Sequence, residues 1–208
     1  MSKRKWGSTK VDLGSDRWYN VASIANATKR RSMTKRNKNE SQEKARRLLN
    51  KGAALLEQGK AQEAIPHLER AHQLDQRNVP VLINLGGAYV LAGQHKKAVP
   101  ILEAACDAEP DNVMVWVNLG AAYLGNPVLA TPEQQEMAIV AFETALELNP
   151  AAPNVHYNLG LVFLDRDEPE QARRTFLQAL KVSPFDRDAR YWLEKLEAAE
   201  SKGGTDES

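Results

Sequence analysis

The sequence predicts an all-α solenoid, in which antiparallel pairs of helices stack one after another. The first observation is a recurring motif with Asn at its first place and Gly at its third, found at residues 50–52, 84–86, 118–120 and 158–160. The second is the spacing of the copies, which is 34, 34 and 40 residues. The third is that alanines keep the same period, at Ala64, Ala98, Ala138 and Ala172 and again at Ala71, Ala105, Ala145 and Ala179. A fixed period of this length is typical of stacked helical repeats.

Each period contains two helical patterns, which are clearest in residues 79–110. Apolar residues recur at helical spacing at Val81, Leu82, Leu85, Ala88 and Tyr89. After Gly93, a second stripe follows at Ala98, Ile101, Leu102 and Ala105 and ends near Pro110. Small residues at Gly86 and Ala98 allow the two helices to approach closely. Because one such hairpin cannot bury both of its faces, successive hairpins have to stack.

These repeats resemble the tetratricopeptide repeat (TPR) at the places that define it. In the second repeat the matching residues are Gly86, Tyr89, Gly93, Ala98, Leu102, Ala105 and Pro110. The resemblance covers residues 44–186 as four repeats, at 45–78, 79–112, 113–152 and 153–186. It implies a right-handed solenoid of stacked helix hairpins. The amphipathic residues 187–201 are expected to cap it as a final helix, followed by a polar tail at 202–208.

Several helix starts are also predicted from local sequence. Asn78 and Asn112 stand where N-caps are expected, and residues 131–134, Thr-Pro-Glu-Gln, form a predicted capping box. The third repeat holds six extra residues between Tyr123 and Ala138. Their Gly, Asn and Pro content predicts a widened turn at residues 124–132 rather than a longer helix. Two interpretations of this insertion stay open, a neutral loop extension and a contact with a partner.

The amino-terminal 40 residues differ in charge from the rest of the chain. Residues 1–40 hold 11 Lys and Arg against 3 Asp and Glu, a balance of +8, whereas residues 41–208 hold 17 against 24, a balance of −7. Apolar residues are sparse in the first segment, so we expect a basic, disordered arm. Its interpretations are a solubilising tail, a segment that contacts nucleic acid or the ribosome, and a segment that docks onto an acidic protein surface, including the acidic body of this chain.

No arrangement of residues indicates catalysis, a cofactor or a metal site. His67 and His72 are five residues apart, which places them poorly on one helix face, and no Cys or carboxylate completes a metal set. Cys106 is the one cysteine and is expected to be a partly buried, inert thiol. His156 is expected to be a packing residue, and no glycine-rich phosphate loop is present. We therefore expect a protein that is not an enzyme and uses no cofactor.

The expected location is the cytoplasm. No apolar run in the sequence is long enough to span a bilayer, so membrane insertion is not expected. The basic amino terminus is not followed by the apolar segment of a secretory signal.

The functional feature that remains is a concave groove lined by the first helix of each repeat. One equivalent place carries an asparagine in all four repeats, and we name these residues the amide row: Asn50, Asn84, Asn118 and Asn158. In TPR proteins this place faces the groove, and the row resembles the asparagine ladder of the O-linked N-acetylglucosamine transferase repeats and of kinesin light chain. Side-chain amides can pair with the backbone of an extended peptide without demanding a sequence. The alternative is that these amides only link neighbouring repeats.

Other residues expected in the groove are Arg46, Met114, Asn154 and Tyr157. A groove of apolar and amide groups suits a peptide or helix with apolar anchors. The carboxylate clamp of some chaperone-binding TPR proteins is not matched, because only Asn84 fits among the aligned residues Leu49, Ala53, Asn84, Met114 and Asn118. We predict a scaffold or adaptor for a protein segment, whose identity the sequence does not reveal. The alternative is a nucleic-acid- or ribosome-associated factor that uses residues 1–40.

Overall fold

The computed structural model describes residues 10–12, 18–125 and 130–203. Two short strands, β1 (Lys10–Asp12) and β2 (Trp18–Asn20), pair antiparallel with Lys10 opposite Asn20. The helices are α1 (Val21–Glu57), α2 (Ala61–Leu74), α3 (Val79–Leu91), α4 (His95–Ala108), α5 (Val113–Leu124), α6 (Pro132–Leu148), α7 (Val155–Asp165), α8 (Pro169–Val182) and α9 (Arg187–Gly203). This run of helices confirms the predicted fold class, to which the structure adds the small β-ladder.

Consecutive helices pack as hairpins, and the hairpins stack. α1 packs on α2, α3 on α4, α5 on α6 and α7 on α8. Each second helix also contacts the first helix of the next hairpin, and α9 packs on α8 at the end of the stack. The amphipathic α9 buries Ala189 and Leu193, so it covers the face that the last hairpin leaves open.

Each hairpin closes around one large, fully buried side chain of its second helix. These side chains are Leu68, Leu102, Phe142 and Phe176, and each lies against a glycine of the first helix. A Cβ placed on Gly120 would be 2.6 Å from the Phe142 ring, closer than Cβ atoms approach other atoms in real proteins. The recurring glycine is therefore required by close packing of the two helices.

The predicted N-caps are present. The Asn78 side chain accepts a hydrogen bond from the backbone N–H of Val81, and that of Asn112 accepts one from Met114. At the start of α6, Thr131 Oγ1 accepts from the Gln134 backbone while Gln134 Oε1 accepts from the Thr131 backbone. This is the complete capping box that the sequence predicts.

The amino-terminal segment differs from the disordered arm that we expected. Residues 21–40 belong to α1, which runs without a break into the first repeat. The chain is helical here because packing holds the carboxyl-terminal part of α1, for example at the fully buried Ala45, and a helix propagates from a formed turn at little further cost. These residues therefore do not fold back over the groove. Residues 1–9 and 13–17 lie outside the described part of the chain.

The junction between the third and fourth hairpins departs from the regular period. α7 begins at Val155, two residues later than the period places it, because Asn154 adopts a left-handed conformation with φ of 62°. α5 ends at Leu124 and α6 begins at Pro132, so the two helices are further apart in the chain than in the other hairpins; residues 126–129 lie outside the described residues. Among the first helices, α1 contacts α3 and α3 contacts α5, but within the described residues α5 and α7 make no comparable contact.

Candidate functional site

One face of the first helices is left uncovered by the second helices. On α3, Leu82, Leu85 and Tyr89 are buried, whereas Pro80 is exposed and Ile83, Asn84 and Gly87 are half-buried. α5 repeats this division, with Val115 and Leu119 buried and Met114, Val117 and Asn118 accessible. We name this surface the first-helix face and define it by the places of Pro80, Ile83, Asn84 and Gly87 in each repeat.

The amide row lies on the first-helix face. Asn50 is exposed, and Asn84, Asn118 and Asn158 are half-buried. The first three residues stand on α1, α3 and α5, which lie side by side, and Asn158 stands on α7 beyond the irregular junction. The row is therefore three neighbouring amides and one that is set apart.

Two members of the row have a defined environment. The Nδ2 group of Asn84 donates a hydrogen bond of 2.8 Å to the Pro80 carbonyl, one turn back in the same helix. Since that bond occupies one donor, the Oδ1 acceptor and the second N–H are the groups that Asn84 offers to a ligand. Asn118 lies across the adjacent helix, because a Cβ on Gly87 would be 3.6 Å from its Nδ2 atom. The small residue at Gly87 thus leaves room for the amide of the next repeat.

The four other residues predicted for the groove have different roles. Arg46 is exposed and forms an ion pair of 3.0 Å with Glu43 in the same helix. Met114 is 50% exposed, so its flexible thioether is available for contact. Asn154 is exposed, but it precedes α7 in the left-handed conformation, without a capping hydrogen bond from its side chain, instead of lying within the helix. Tyr157 is half-buried, and its ring lies 5.9 Å from that of Phe176, so it mainly supports the last hairpin.

Sequence reasoning missed one prominent residue on this face. Leu91 at the end of α3 is 70% exposed. It follows Gly87 by four residues and Asn84 by seven, which places all three on one side of the helix. This spacing could have predicted that Leu91 belongs to the face. It was overlooked because Leu91 lies close to the turn at Gly93, where the helical pattern ends.

The first-helix face carries little charge. Of the sixteen residues at its defining places in the four repeats, Arg46 is the only charged one, and Glu43 is its ion-pair partner. Apolar residues occupy the places of Ile83, namely Leu49, Ile83, Val117 and Tyr157, and all four are half-buried. The face therefore combines apolar contact area with amide hydrogen-bonding groups.

Hydrogen bonds behind this face hold the first helices in place. The hydroxyl of Tyr89 donates to Glu69 at 2.6 Å, and that of Tyr123 donates to Glu103 at 2.7 Å. Each bond joins a first helix to the second helix of the preceding repeat. Burial, together with the carboxylate that accepts the hydrogen bond, raises the pKa of both tyrosines above the ordinary value. These hydroxyls stay protonated near neutral pH and keep donating.

A second recurring bond fixes the entry to the later helices. Trp116 Nε1 donates to the Pro110 carbonyl at 2.6 Å, His156 Nε2 lies 3.0 Å from the Pro150 carbonyl oxygen, and Arg190 donates to the Pro184 carbonyl at 2.8 Å. Each residue follows its proline by six places. His156 thus makes a specific polar contact with the preceding turn in addition to the packing that the sequence predicts.

The residues considered for chemistry have structural surroundings. Cys106 is 7% exposed, and burial, aided by the nearby Asp107 and Glu103 carboxylates, raises the pKa of its thiol to about 11. Such a thiol is protonated at neutral pH and is a poor nucleophile. Within the described residues, no group of three or more His, Cys, Asp and Glu side chains is arranged to hold a metal ion. None of the helices in this part of the chain is both long enough and apolar enough to cross a bilayer.

Comparison with family models identifies the class of protein. Models described as tetratricopeptide repeat match residues 55–116 and 157–203, and one described as TPR repeat matches residues 133–167. The chain belongs to the tetratricopeptide repeat family. The comparison with curated proteins gives no match.

Solved structures with the same architecture are similar to this chain over most of its length. A thermophilic TPR protein of Thermus thermophilus is 22% identical, with a TM-score of 0.64, over 75% of this chain and 82% of that one. PilF of Pseudomonas aeruginosa is 22% identical, with a TM-score of 0.65, over 78% and 72%. The first TPR of Spaghetti (RPAP3), bound to the HSP90 peptide SRMEEVD, is 21% identical, with a TM-score of 0.53, over 61% and 96%. At these identities the similarity shows the fold alone.

Proposed function

We propose that this protein is a scaffold that holds a segment of a partner protein on its first-helix face. The observation that carries the proposal is an accessible face with one charged defining residue, on which amides of three neighbouring helices stand beside half-buried apolar side chains. Apolar side chains that are accessible together on one face, outside the core, are a typical feature of an interaction site. Its groups complement a peptide backbone and apolar anchors more closely than a small charged metabolite.

The amide row supplies the polar part of recognition. Asn84 offers Oδ1 and one N–H, because its other N–H is bonded to Pro80. An extended chain presents an N–H and a carbonyl at each residue, and a side-chain amide can pair with both. We place the ligand backbone along Asn50, Asn84 and Asn118, since α1, α3 and α5 form the continuous part of the face.

Exposed apolar residues supply the anchoring contacts. Met114 and Leu91 are 50% and 70% exposed, and Ile83 and Val117 are half-buried residues of the same face. Covering these side chains removes apolar surface from water, at about 25 cal/mol per Å². The ligand we propose is therefore a segment with apolar side chains at its contact positions.

An acidic carboxyl-terminal peptide is a poor fit for this face. The TPR of Spaghetti binds the peptide SRMEEVD, which has two glutamates, an aspartate and a terminal carboxylate. This chain has Leu49, Ala53 and Met114 at the places where a carboxylate clamp requires Lys, Asn and a basic residue, respectively. Burying carboxylates against these apolar groups costs free energy without compensation. SRMEEVD is accordingly a suitable negative control.

The proposal is tested with peptides selected from a random displayed library on the full chain. Replacing Asn84 and Asn118 together by Ala is expected to weaken the selected peptides about tenfold or more, because two hydrogen bonds of about 0.5–1.5 kcal/mol each are lost. The matched control replaces Gln76 and Gln178, two exposed amides away from this face, by Ala. Isothermal titration calorimetry measures the affinities, and thermal unfolding checks that both variants stay folded.

Two results contradict the proposal. One is equal loss of affinity in both double variants, which shows that the amide row has no special part. The other is selection of acidic peptides similar to SRMEEVD whose affinity is unchanged by the Asn84→Ala and Asn118→Ala substitutions.

A further inference from the structure

Residues 26–40 of α1 form a helical segment outside the stacked hairpins, and we name it the basic helix. Every side chain described in this range is exposed, including Met33 at 58%. Its sequence holds six basic residues, Lys29, Arg30, Arg31, Lys35, Arg36 and Lys38, and one acidic residue, Glu40, a balance of +5. The next acidic residue, Glu43, is bonded to Arg46 and Arg47 at 3.0 and 3.2 Å. The basic helix is therefore a concentrated positive charge attached to the acidic solenoid.

The charges surround the helix axis instead of marking one side. At about 100° per residue, Lys29, Arg30 and Arg31 project in three directions that span more than half of the circumference. Lys35 and Lys38 lie on the same half as Arg31, and no sector much wider than a third of the helix lacks a basic side chain. A helix that lies on a membrane needs one apolar face, and this segment has none. A flat acidic surface would contact one side and leave the remaining charges unused.

The distribution suits a partner that encloses the helix with negative charge. Arg31 and Lys35 are four residues apart, and Lys35 and Lys38 three, so like charges stand next to each other along the helix. Like charges at these spacings are unfavourable in an isolated helix, and this segment continues directly into the packed part of α1. Phosphates on both sides of the helix would relieve the repulsion and release counterions.

We propose that the basic helix binds double-stranded DNA by lying in the major groove. An α-helix with its side chains is about 10–12 Å across, and the major groove of B-form DNA is about 12 Å wide and admits a helix. The phosphate chains on the two walls then face basic residues on opposite sides. The deep, narrow major groove of A-form RNA does not admit side chains in this way. The segment spans roughly 22 Å, close to the length of six base pairs at about 3.4 Å each. This activity is independent of the first-helix face.

The test measures binding of the full chain to a fluorescent DNA duplex of mixed sequence by anisotropy, over a series of salt concentrations. Replacing Lys35 and Lys38 by Glu is expected to weaken binding about tenfold or more at low salt and to reduce the salt slope by about 2, because two phosphate contacts are lost. The matched control is Lys96→Glu with Lys181→Glu, which changes the net charge equally at exposed places on the solenoid. The control is expected to bind DNA nearly as the unchanged protein does.

Two competitors distinguish the partner classes. An RNA duplex of the same sequence and polyglutamate are each expected to compete less well than unlabelled DNA. Hydrogen exchange is expected to show new protection at residues 26–40 when DNA is added. The proposal is overturned if no binding occurs at low salt, if both double variants lose affinity equally, or if RNA or polyglutamate competes as well as DNA. The peptides selected for the first-helix face should bind the unchanged protein and both double variants with the same affinity. A negative result for DNA binding is therefore distinct from a negative result for the scaffold function.

Discussion

At the scale of single residues, equivalent places in the repeats make equivalent bonds where the side chain permits. Tyr89 and Tyr123 each donate to a glutamate twenty residues earlier in the chain. The same spacing pairs Phe163 of α7 with Glu143 of α6, but phenylalanine has no hydroxyl to donate. The irregular junction therefore lacks a bond that both regular junctions possess.

Replacing Phe163 by Tyr is expected to supply this bond. We expect the free energy of unfolding to rise by about 0.5–1.5 kcal/mol, the usual net value of a hydrogen bond. Chemical denaturation of the two proteins measures the difference. Tyr123→Phe is the reciprocal control and should lower stability by a similar amount. If Tyr123→Phe lowers stability and Phe163→Tyr has no effect, the prediction is contradicted. Glu143 then does not lie within hydrogen-bonding distance of a hydroxyl at position 163.

At the scale of elements, the hairpins show what local sequence can determine. The caps at Asn78, Asn112 and Thr131 were all predictable, because each depends on a side chain and a backbone group three or fewer residues away. The start of α7 was not predictable to the residue. Asn154 aligns with helical residues of the other repeats, but it adopts φ of 62° after Pro153, and no short-range pattern required this.

The glycine contacts within each hairpin lead to a paired prediction. Gly120→Ala is expected to lower the free energy of unfolding by about 1–2 kcal/mol, since the new methyl group overlaps the Phe142 ring and overpacking outweighs the gain in helix propensity. Gly87→Ala is the matched control. Its Cβ meets Asn118 Nδ2 at an ordinary 3.6 Å, so we expect a gain of about 0.5–1 kcal/mol from helix propensity. Urea denaturation measures both, and a shift of the same sign in the two variants would contradict the packing argument.

At the scale of the whole molecule, the solenoid divides at the junction between α6 and α7. α7 packs on α6 less extensively than α3 packs on α2 or α5 on α4. Two polar contacts also join the hairpins at this junction: Gln135 donates to Asp165 at 2.5 Å, and Arg166 pairs with Glu136 at 3.0 Å. Partly exposed ion pairs contribute little stability, about 0–1 kcal/mol. In a solenoid, stability depends on contacts between neighbouring hairpins, so a weak junction limits cooperativity.

We therefore expect α7, α8 and α9 to open together before the rest of the stack. Native-state hydrogen exchange measures the free energy of opening for each helix. The amides of α8 should exchange with a free energy at least about 1 kcal/mol below those of α2, although both helices belong to a terminal hairpin. Equal protection of α2 and α8 would contradict this expectation and show that the extra residues of the third repeat leave the coupling intact.

Much of the first-helix face was predictable, because periodicity alone assigns residues to the sides of a helix. The amide row and Met114 lie on this surface. The surroundings of Arg46 and Tyr157 were not predictable, since an ion pair with Glu43 and a ring contact with Phe176 depend on rotamers and on the neighbouring helices. Leu91 was missed because its exposure depends on where α3 ends relative to the turn.

The amino-acid sequence alone determined the repeat, the pairing of helices into hairpins and the places of the packing glycines. These features follow from short-range periodicity and from the need of each hairpin to cover an apolar face. Tertiary structure decided the continuation of α1 through residues 21–40 and the separation of α7 from α5. Both features depend on long-range contacts. α1 continues because packing against distant residues holds one of its ends. The separation of α7 from α5 depends on how the insertion and Asn154 orient the fourth hairpin on the third. No local pattern of residues carries that information.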